Sequence, residues 1–164
     1  MTHHTQIRFE LANGKKVKVD QRLYAVLTYL RDLGVKTQYS CEGDPSYDEV
    51  GLSAYILADR KSFRPIIKEI KKFRKRKNVP AYLRRFSQDF LDGYIGREYE
   101  VWIRHNSVKS KVFGKKIYRG EETLNGFQIQ YITSYPYGIR TVIRFPHEQI
   151  ALMEQLLIHL INER

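Results

Sequence analysis

Apolar and polar positions alternate along the start of the chain in a way that predicts a β-hairpin followed by a helix. From Gln6 to Asp20 the alternation runs on both sides of Asn13-Gly14, a pair typical of tight hairpin turns. From Gln21 to Leu33 the apolar residues recur at i, i+3, i+4 and i+7, the spacing of one helix face. Asp20 is the expected N-cap of this helix, and Gly34 is expected to end it.

Five further segments have the length and pattern of strands. The first two flank Cys41 to Gly51, a loop that is acidic and contains Gly and Pro. The stretch from His105 to Asn125 has no clear period and is longer than most loops, which favours a functional loop or hidden strand content. The five predicted strands are Val35–Ser40, Leu52–Ala58, Glu98–Arg104, Phe127–Ser134 and Ile139–Phe145.

Three more helices are predicted from their apolar faces. The second helix begins near Asp59 or at Ser62, and Pro65 favours Ser62 as its cap, because proline is best tolerated in the first turn. A third helix runs from Pro80 to Gly93. A fourth begins at Pro146 and extends towards the end of the chain.

The order of these elements predicts an α+β fold, a mostly antiparallel sheet with helices packed on one face. A ββα unit occurs twice, beginning at Gln38-Tyr39 and at Gln130-Tyr131, so the chain has two candidate pseudo-repeated halves. The sequence identity between them is low, and chance recurrence of a common motif stays open. No change of composition marks a linker, so residues 1–164 are interpreted as a single domain with candidate halves 6–78 and 94–162.

The composition excludes several classes of protein. Of 164 residues 42% are hydrophobic, which is enough for a sizeable core. The net charge of +11 and the pI of about 9.7 indicate an anionic partner. A single cysteine, Cys41, excludes a disulfide scaffold and a four-cysteine zinc site. With no secretory signal and no apolar run of about 18 residues, we expect no membrane partner and a cytoplasmic location.

The segment that ends the third predicted strand is unusual in its chemistry. Ser40, Cys41 and Glu42 place a hydroxyl, a thiol and a carboxylate at a strand end, where loops project from a rigid scaffold. Gly43 permits a positive φ or the close approach of a ligand. Two interpretations stay open. The segment is either a ligand site or a turn in which Cys41 is a small buried apolar residue.

This segment resembles a motif in small, mostly uncharacterised proteins of bacteriophages and their bacterial hosts. In those proteins a helix ends in Gly, and the next strand ends in Thr-x-x-Ser/Cys-Cys-x-Gly, often followed by His and later by an Ala/Gly-Tyr-Ile-like strand. Asp44 stands where that His often lies, so no role of the His is carried over. The resemblance implies a phage or prophage origin, and hence a host cytoplasm, but no activity. Within Leu23–Ile56, the matching residues are Gly34, Thr37, Ser40, Cys41, Gly43 and Ala54-Tyr55-Ile56.

Basic residues provide a second candidate surface. A tract of Lys and Arg follows the apolar face of the second helix, and a second cluster lies in Lys109–Arg119. Such cations attract phosphates and make binding sensitive to salt, although a solvated helix end has the same pattern. The predicted phosphate or nucleic-acid contacts are Lys68, Lys71, Lys72, Lys75, Arg76, Lys115 and Lys116.

Tyrosines concentrate at predicted strand ends, and arginines lie on the late strands. Tyrosine rings can stack on bases while guanidinium groups contact phosphate, although tyrosine is also a common strand residue. Together with the strand-end motif they form one predicted ligand-binding set. Its members are Tyr39, Ser40, Cys41, Glu42, Gly43, Tyr55, Arg104, Tyr135, Tyr137 and Arg140.

Motifs of known enzyme classes are absent from the sequence. There is no Walker loop, no GxGxxG and no HExxH. Cys41 with His105 or His147 would make a thiol–imidazole pair, but no spacing supports it. His3 and His4 receive no role. We therefore expect no cofactor and no metal site, and we assign no catalytic residue.

These features predict a protein that binds a phosphate-bearing ligand, either nucleic acid or a nucleotide. The phage resemblance adds counter-defence, including sequestration of a signalling nucleotide, as a role. Two alternatives stay open. One is an enzyme that acts on nucleotides or RNA at Cys41 and Glu42, and the other is an inhibitor of an acidic host protein. A homo-oligomer is a further candidate partnership.

Overall fold

A computed structural model describes residues 4–42, 54–93, 100–104, 107–111, 128–134 and 138–164. Within these ranges, short 3₁₀ turns over Gln21–Leu23 and His147–Gln149 lead into two of the helices. The strands are β1 (Gln6–Glu10), β2 (Lys16–Asp20), β3 (Thr37–Cys41), β4 (Ala54–Asp59), β5 (Glu100–Arg104), β6 (Ser107–Lys111), β7 (Gln128–Ser134) and β8 (Gly138–Phe145). The helices are α1 (Tyr24–Asp32), α2 (Arg60–Phe73), α3 (Ala81–Gly93) and α4 (Ile150–Asn162).

The strands form two sheets. β1 and β2 make an antiparallel hairpin of their own, and the other six strands follow the order β3-β4-β8-β7-β5-β6. Every neighbouring pair in the larger sheet is antiparallel except β5 and β7, which run parallel. The predicted α+β fold with a mostly antiparallel sheet is confirmed. β6 lies within the stretch from His105 to Asn125, which therefore contains the strand that its length suggested.

Two ββα units meet at the middle of the larger sheet. The β3–β4 hairpin leads into α2, and the β7–β8 hairpin leads into α4. β4 pairs with β8 antiparallel, from Ala54 opposite Phe145 to Asp59 opposite Arg140. The second strand of one unit therefore lies against the second strand of the other, and α2 contacts both of these strands.

Alternation along β4 separates a core face from an outer face. Ala54, Ile56 and Ala58 are buried, whereas Tyr55 and Leu57 are half-buried between them. The buried positions join one apolar core that draws on all four helices and on the β1–β2 hairpin. The helices therefore pack on the face of β4 that carries Ala54, Ile56 and Ala58. The single-domain boundaries stay a prediction.

The start of α2 differs from the prediction. The helix begins at Arg60, and the Asp59 carboxylate caps it by accepting from the Ser62 N–H at 2.9 Å, so Ser62 as the cap is wrong. Pro65 consequently lies in the second turn, where it removes one backbone hydrogen bond. Burial of the apolar face of α2 opposes that cost, because each buried Phe or Ile contributes about 1.5–3 kcal/mol.

The end of α1 is a Schellman motif. Gly34 has φ +90°, its N–H donates to the Arg31 carbonyl at 2.9 Å, and the Val35 N–H donates to the Leu30 carbonyl at 2.8 Å. Gly34 as the helix terminator is confirmed. Asp20 occupies the predicted N-cap position, before the 3₁₀ turn that leads into α1, but its side chain makes no capping hydrogen bond. Its carboxylate has other partners.

No helix among the described residues is long and apolar enough to cross a bilayer. The longest, α2, has 14 residues and carries a charged outer face.

Replacing Gly34 by alanine should destabilise the protein by about 1 kcal/mol, because a left-handed backbone conformation costs an L-residue roughly that much. A Cβ at this position would meet nothing within 4 Å, so steric overlap with neighbours should add nothing. Urea unfolding would measure the loss. Gly34→Asn is the matched control, since asparagine tolerates this conformation better, and it should lose less. Equal stability of Gly34→Ala and the unmodified protein would contradict the strain argument.

Candidate functional site

The strand-end motif lies in a row that crosses three strands. Cys41 at the end of β3 is opposite Tyr55 of β4, and Tyr55 is opposite Arg144 of β8. Residues opposite one another in a sheet project from the same face, so these three side chains are neighbours on the face that points away from the core. The structure therefore brings together Cys41 and Tyr55, two of the predicted ligand-binding residues.

Tyr55 lies in a partly desolvated position in this row. The Arg144 guanidinium is 5.4 Å from the centre of the Tyr55 ring, a cation–π contact. Burial raises the pKa of the Tyr55 hydroxyl above its ordinary value, and the neighbouring Cys41 adds to the rise while Arg144 opposes it. The phenol therefore stays protonated near neutral pH and can donate a hydrogen bond.

A buried carboxylate lies beside this row. Asp20 ends β2, and its side chain is 6% exposed. One of its oxygens, Oδ2, accepts from the Glu42 backbone N–H at 2.9 Å and lies 3.0 Å from His4 Nδ1. Its other oxygen accepts from Gln6 Nε2 at 3.3 Å. Through the hydrogen bond from Glu42, Asp20 links the β1–β2 hairpin to the end of β3. These hydrogen bonds also offset the cost of burying the carboxylate.

The Glu42 carboxylate lies between two imidazoles. Its Oε1 is 3.9 Å from His4 Nδ1, and its Oε2 is 3.2 Å from His147 Nε2. His147 therefore pairs with Glu42. His4, Glu42 and His147 line an open groove of about 740 Å³ between β1 and the starts of α1 and α4.

We refer to His4, Asp20, Cys41, Glu42 and His147 as the strand-end cluster. One potential ligand atom from each of His4, Asp20 and Cys41 lies within 4.8 Å of the others. The Nε2 atom of His4 is buried and has no hydrogen-bond partner in the described part of the chain. The cluster thus combines nitrogen, oxygen and sulfur donors with a neighbouring groove.

The other predicted ligand-binding residues that the structure describes lie at different distances from this cluster. Tyr39 is 67% exposed in the middle of β3. Arg140 lies four residues before Arg144 on β8, about 13 Å away by strand rise, and donates to Gln38 at 3.3 Å. Arg104 ends β5 at the end of the sheet where β8 begins, and Arg140 is the third residue of β8. Ser40 is half-buried beside Cys41, whereas Gly43, Tyr135 and Tyr137 lie outside the described residues.

The basic tract forms one exposed surface on α2 and the turn that follows it. Five of the predicted contacts belong to it, and all five are exposed: Lys68, Lys71, Lys72, Lys75 and Arg76. Arg76 forms an ion pair with Glu163, so its charge is partly neutralised. The other two predicted contacts, Lys115 and Lys116, lie outside the described residues.

Net positive charge is concentrated on α2, α3 and the turn between them. Residues 60–93, which run from the start of α2 to the end of α3, contain twelve Lys and Arg against three Asp and Glu, so they carry nine of the eleven net positive charges of the chain. Summed over the rest of the chain, 17 Lys and Arg stand against 15 Asp and Glu. We refer to the exposed cations of α2, of α3 and of the turn between them as the basic surface.

Three members of the strand-end cluster escaped the sequence prediction. The sequence predicts Asp20 as a helix cap and gives His4 no role, and no spacing in the sequence supports a site at His147. Their contacts join residues 16 to 105 positions apart in the sequence. No local pattern reports such contacts. One signal in the sequence points to the cluster. Asp20 ends one predicted strand, and Cys41-Glu42 ends another.

Replacing Asp20 by alanine should destabilise the protein by about 1–3 kcal/mol, because it leaves the part-buried Glu42 N–H without its acceptor. Guanidinium unfolding followed by circular dichroism would measure the loss. Asp32→Ala is the matched control, since Asp32 is exposed on α1, and it should change stability by no more than about 0.5 kcal/mol. Similar losses in the two variants would mean that Asp20 does not anchor the hairpin.

The chain matches no protein-family model, no curated protein and no solved structure. The resemblance to phage and prophage proteins therefore stays an expectation that depends on the motif around Cys41. Among the described residues, the strand-end cluster and the basic surface are the two features on which a function is proposed below.

Proposed function

We propose that this protein binds nucleic acid along the basic surface of α2 and α3. The observation that carries the proposal is the concentration of nine of the eleven net charges in residues 60–93. A surface with so few counter-charges attracts polyanions through the release of their condensed counterions. The proposal keeps the predicted phosphate-bearing ligand and favours a polymer over a small nucleotide.

The arrangement of cations on α2 supports a polymer. They occupy the helix face opposite the buried apolar residues, at a spacing of three or four residues, and so form one stripe. At about 1.5 Å per residue, the 14 residues of α2 extend over about 21 Å. A strand that rises about 3.4 Å per nucleotide would pass about six phosphates along that length. The exposed cations on the helix are Lys61, Arg64, Lys68, Lys71 and Lys72.

Neighbouring carboxylates do little to neutralise the stripe. Glu69, the one acidic residue on α2, is paired with the Arg164 guanidinium at 3.0–3.1 Å. α3 adds Arg84 and Arg85, both exposed, to the same helical pair. The resulting field is open to solvent, which suits an extended phosphate backbone better than a compact nucleotide. The phage resemblance adds a host cytoplasm and a counter-defence role to the proposal.

Replacing Lys68, Lys71 and Lys72 together by glutamine should weaken binding by about 100-fold at low salt. Three phosphate contacts would be lost, and the slope of log Kobs against log salt should fall by about two to three units. Glutamine preserves helix propensity, so α2 should stay folded. Fluorescence anisotropy with labelled single-stranded DNA, duplex DNA and RNA at several salt concentrations would measure both quantities.

The matched control replaces Lys15, Lys16 and Lys18 by glutamine. These lysines are exposed on the β1–β2 hairpin, and the change in net charge is the same. The control should keep most of the affinity and the salt slope. Equal losses in the two triple variants would show that net charge, and not the basic surface, determines binding.

A second measurement separates a polymer from a small ligand. The ratio of absorbance at 260 and 280 nm, on protein purified in high and in low salt, should show polymer that high salt removes. A small nucleotide that survives high salt and is released on denaturation would overturn the proposal in favour of a nucleotide site. No binding to any probe would overturn it as well, and the acidic host protein would become the leading partner.

A further inference from the structure

We propose that His4, Asp20 and Cys41 bind a divalent transition-metal ion, with zinc as the best-fitting metal. The three donor atoms lie within 4.8 Å of one another. The His4 Nδ1 atom is 3.0 Å from Asp20 Oδ2. The proposal is independent of nucleic-acid binding. It also departs from the sequence-based expectation of no metal site.

The donor set determines the class of metal. A thiolate and an imidazole are ligands of zinc and related ions, whereas Mg²⁺ and Ca²⁺ prefer all-oxygen sites. Zinc bonds of about 2.0–2.3 Å in tetrahedral geometry place ligand atoms about 3.3–3.6 Å apart. Donors that lie within 4.8 Å therefore have to move by about 1 Å or less to close on the ion.

The residues around the three donors hold them in place. Asp20 is fixed by Gln6 Nε2 and by the Glu42 backbone N–H, as ligating carboxylates usually are. The His4 ring has a buried nitrogen, Nε2, without a partner in the described ranges, although buried polar atoms are normally satisfied. The nitrogen that faces Asp20 is Nδ1, so Nδ1 is the atom of this ring that would bind the ion.

The three ligands come from three separate places in the chain. His4 precedes β1, Asp20 ends β2 and Cys41 ends β3, so one ion would join the N-terminal hairpin to the larger sheet. Three protein ligands leave a fourth position for water or for another ligand. Glu42, whose Oε1 is 3.9 Å from His4 Nδ1, is within reach of that position.

Titration of metal-free protein with Co²⁺ alone tests the site. Cobalt reports thiolate ligation by a charge-transfer absorption in the near ultraviolet, and Zn²⁺ should abolish the signal by displacement. We expect one ion per chain. Cys41→Ser should lose the charge-transfer absorption, and His4→Ala and Asp20→Asn should weaken binding by about 100-fold or more, at or above the upper end of what losing a supporting residue costs.

Two controls isolate the proposed ligands. His159→Gln removes an imidazole that contacts Phe73 in another part of the molecule, and it should leave Co²⁺ binding unchanged. His3→Ala removes the histidine next to His4 in sequence and tests for chelation by the chain terminus. Circular dichroism shows whether each variant is folded. If Asp20→Asn unfolds, Cys41→Ser and His4→Ala decide the question.

The outcomes are distinct from those for nucleic-acid binding. Absence of the charge-transfer absorption in the unmodified protein would overturn the metal proposal, as would a signal that persists unchanged in His4→Ala. Cys41→Ser should keep its affinity for oligonucleotides, because Cys41 lies outside the basic surface. A loss of oligonucleotide binding in the lysine variant would leave the cobalt signal intact.

Discussion

The antiparallel pairing of β4 with β8 is the interaction on which the rest of the structure depends. Each strand is the second of its ββα unit, so this single ladder joins the two halves of the larger sheet. It places Ala54, Ile56, Ile143 and Phe145 together beneath the helices. The opposite alternation sets Tyr55 against Arg144, so the core and the outer row follow from one register. A shift by one residue would exchange the two faces.

The N-terminal hairpin is attached to this sheet in a different way. It shares no strand pairing with the larger sheet. Phe9 and Val19 contribute apolar burial, and Asp20 contributes hydrogen bonds to the end of β3. An apolar contact has little directional preference, whereas a buried carboxylate is satisfied in few geometries. Asp20 therefore determines where the hairpin sits, and thereby brings His4 to Glu42 and His147.

Much of the fold could be predicted from the sequence because its determinants are local. The Asn13-Gly14 turn, the Gly34 helix end and the alternation in β4 depend on a few adjacent residues, and the structure has all three. The predicted start of α2 was wrong because the Asp59 side chain, and not that of Ser62, caps the helix. Most of the strand-end cluster could not be predicted, because its members meet only in the tertiary fold. The basic tract could be predicted as a positively charged segment because its residues are close together in the sequence. The sequence alone does not show which carboxylates lie near these cations in the fold, so it does not give the net charge of the surface they form.

The two faces of α2 have opposing effects on its stability. Its inner face fills the core, and its outer face places like charges three or four residues apart, which is unfavourable by about 0.2–0.5 kcal/mol for each pair. The apolar face therefore holds the helix together against its own electrostatic repulsion. A polyanion bound to the outer face would remove that repulsion, so the free energies of folding and of ligand binding are thermodynamically linked through one helix. Salt, which screens the same charges, would stabilise the free protein while it weakens the complex.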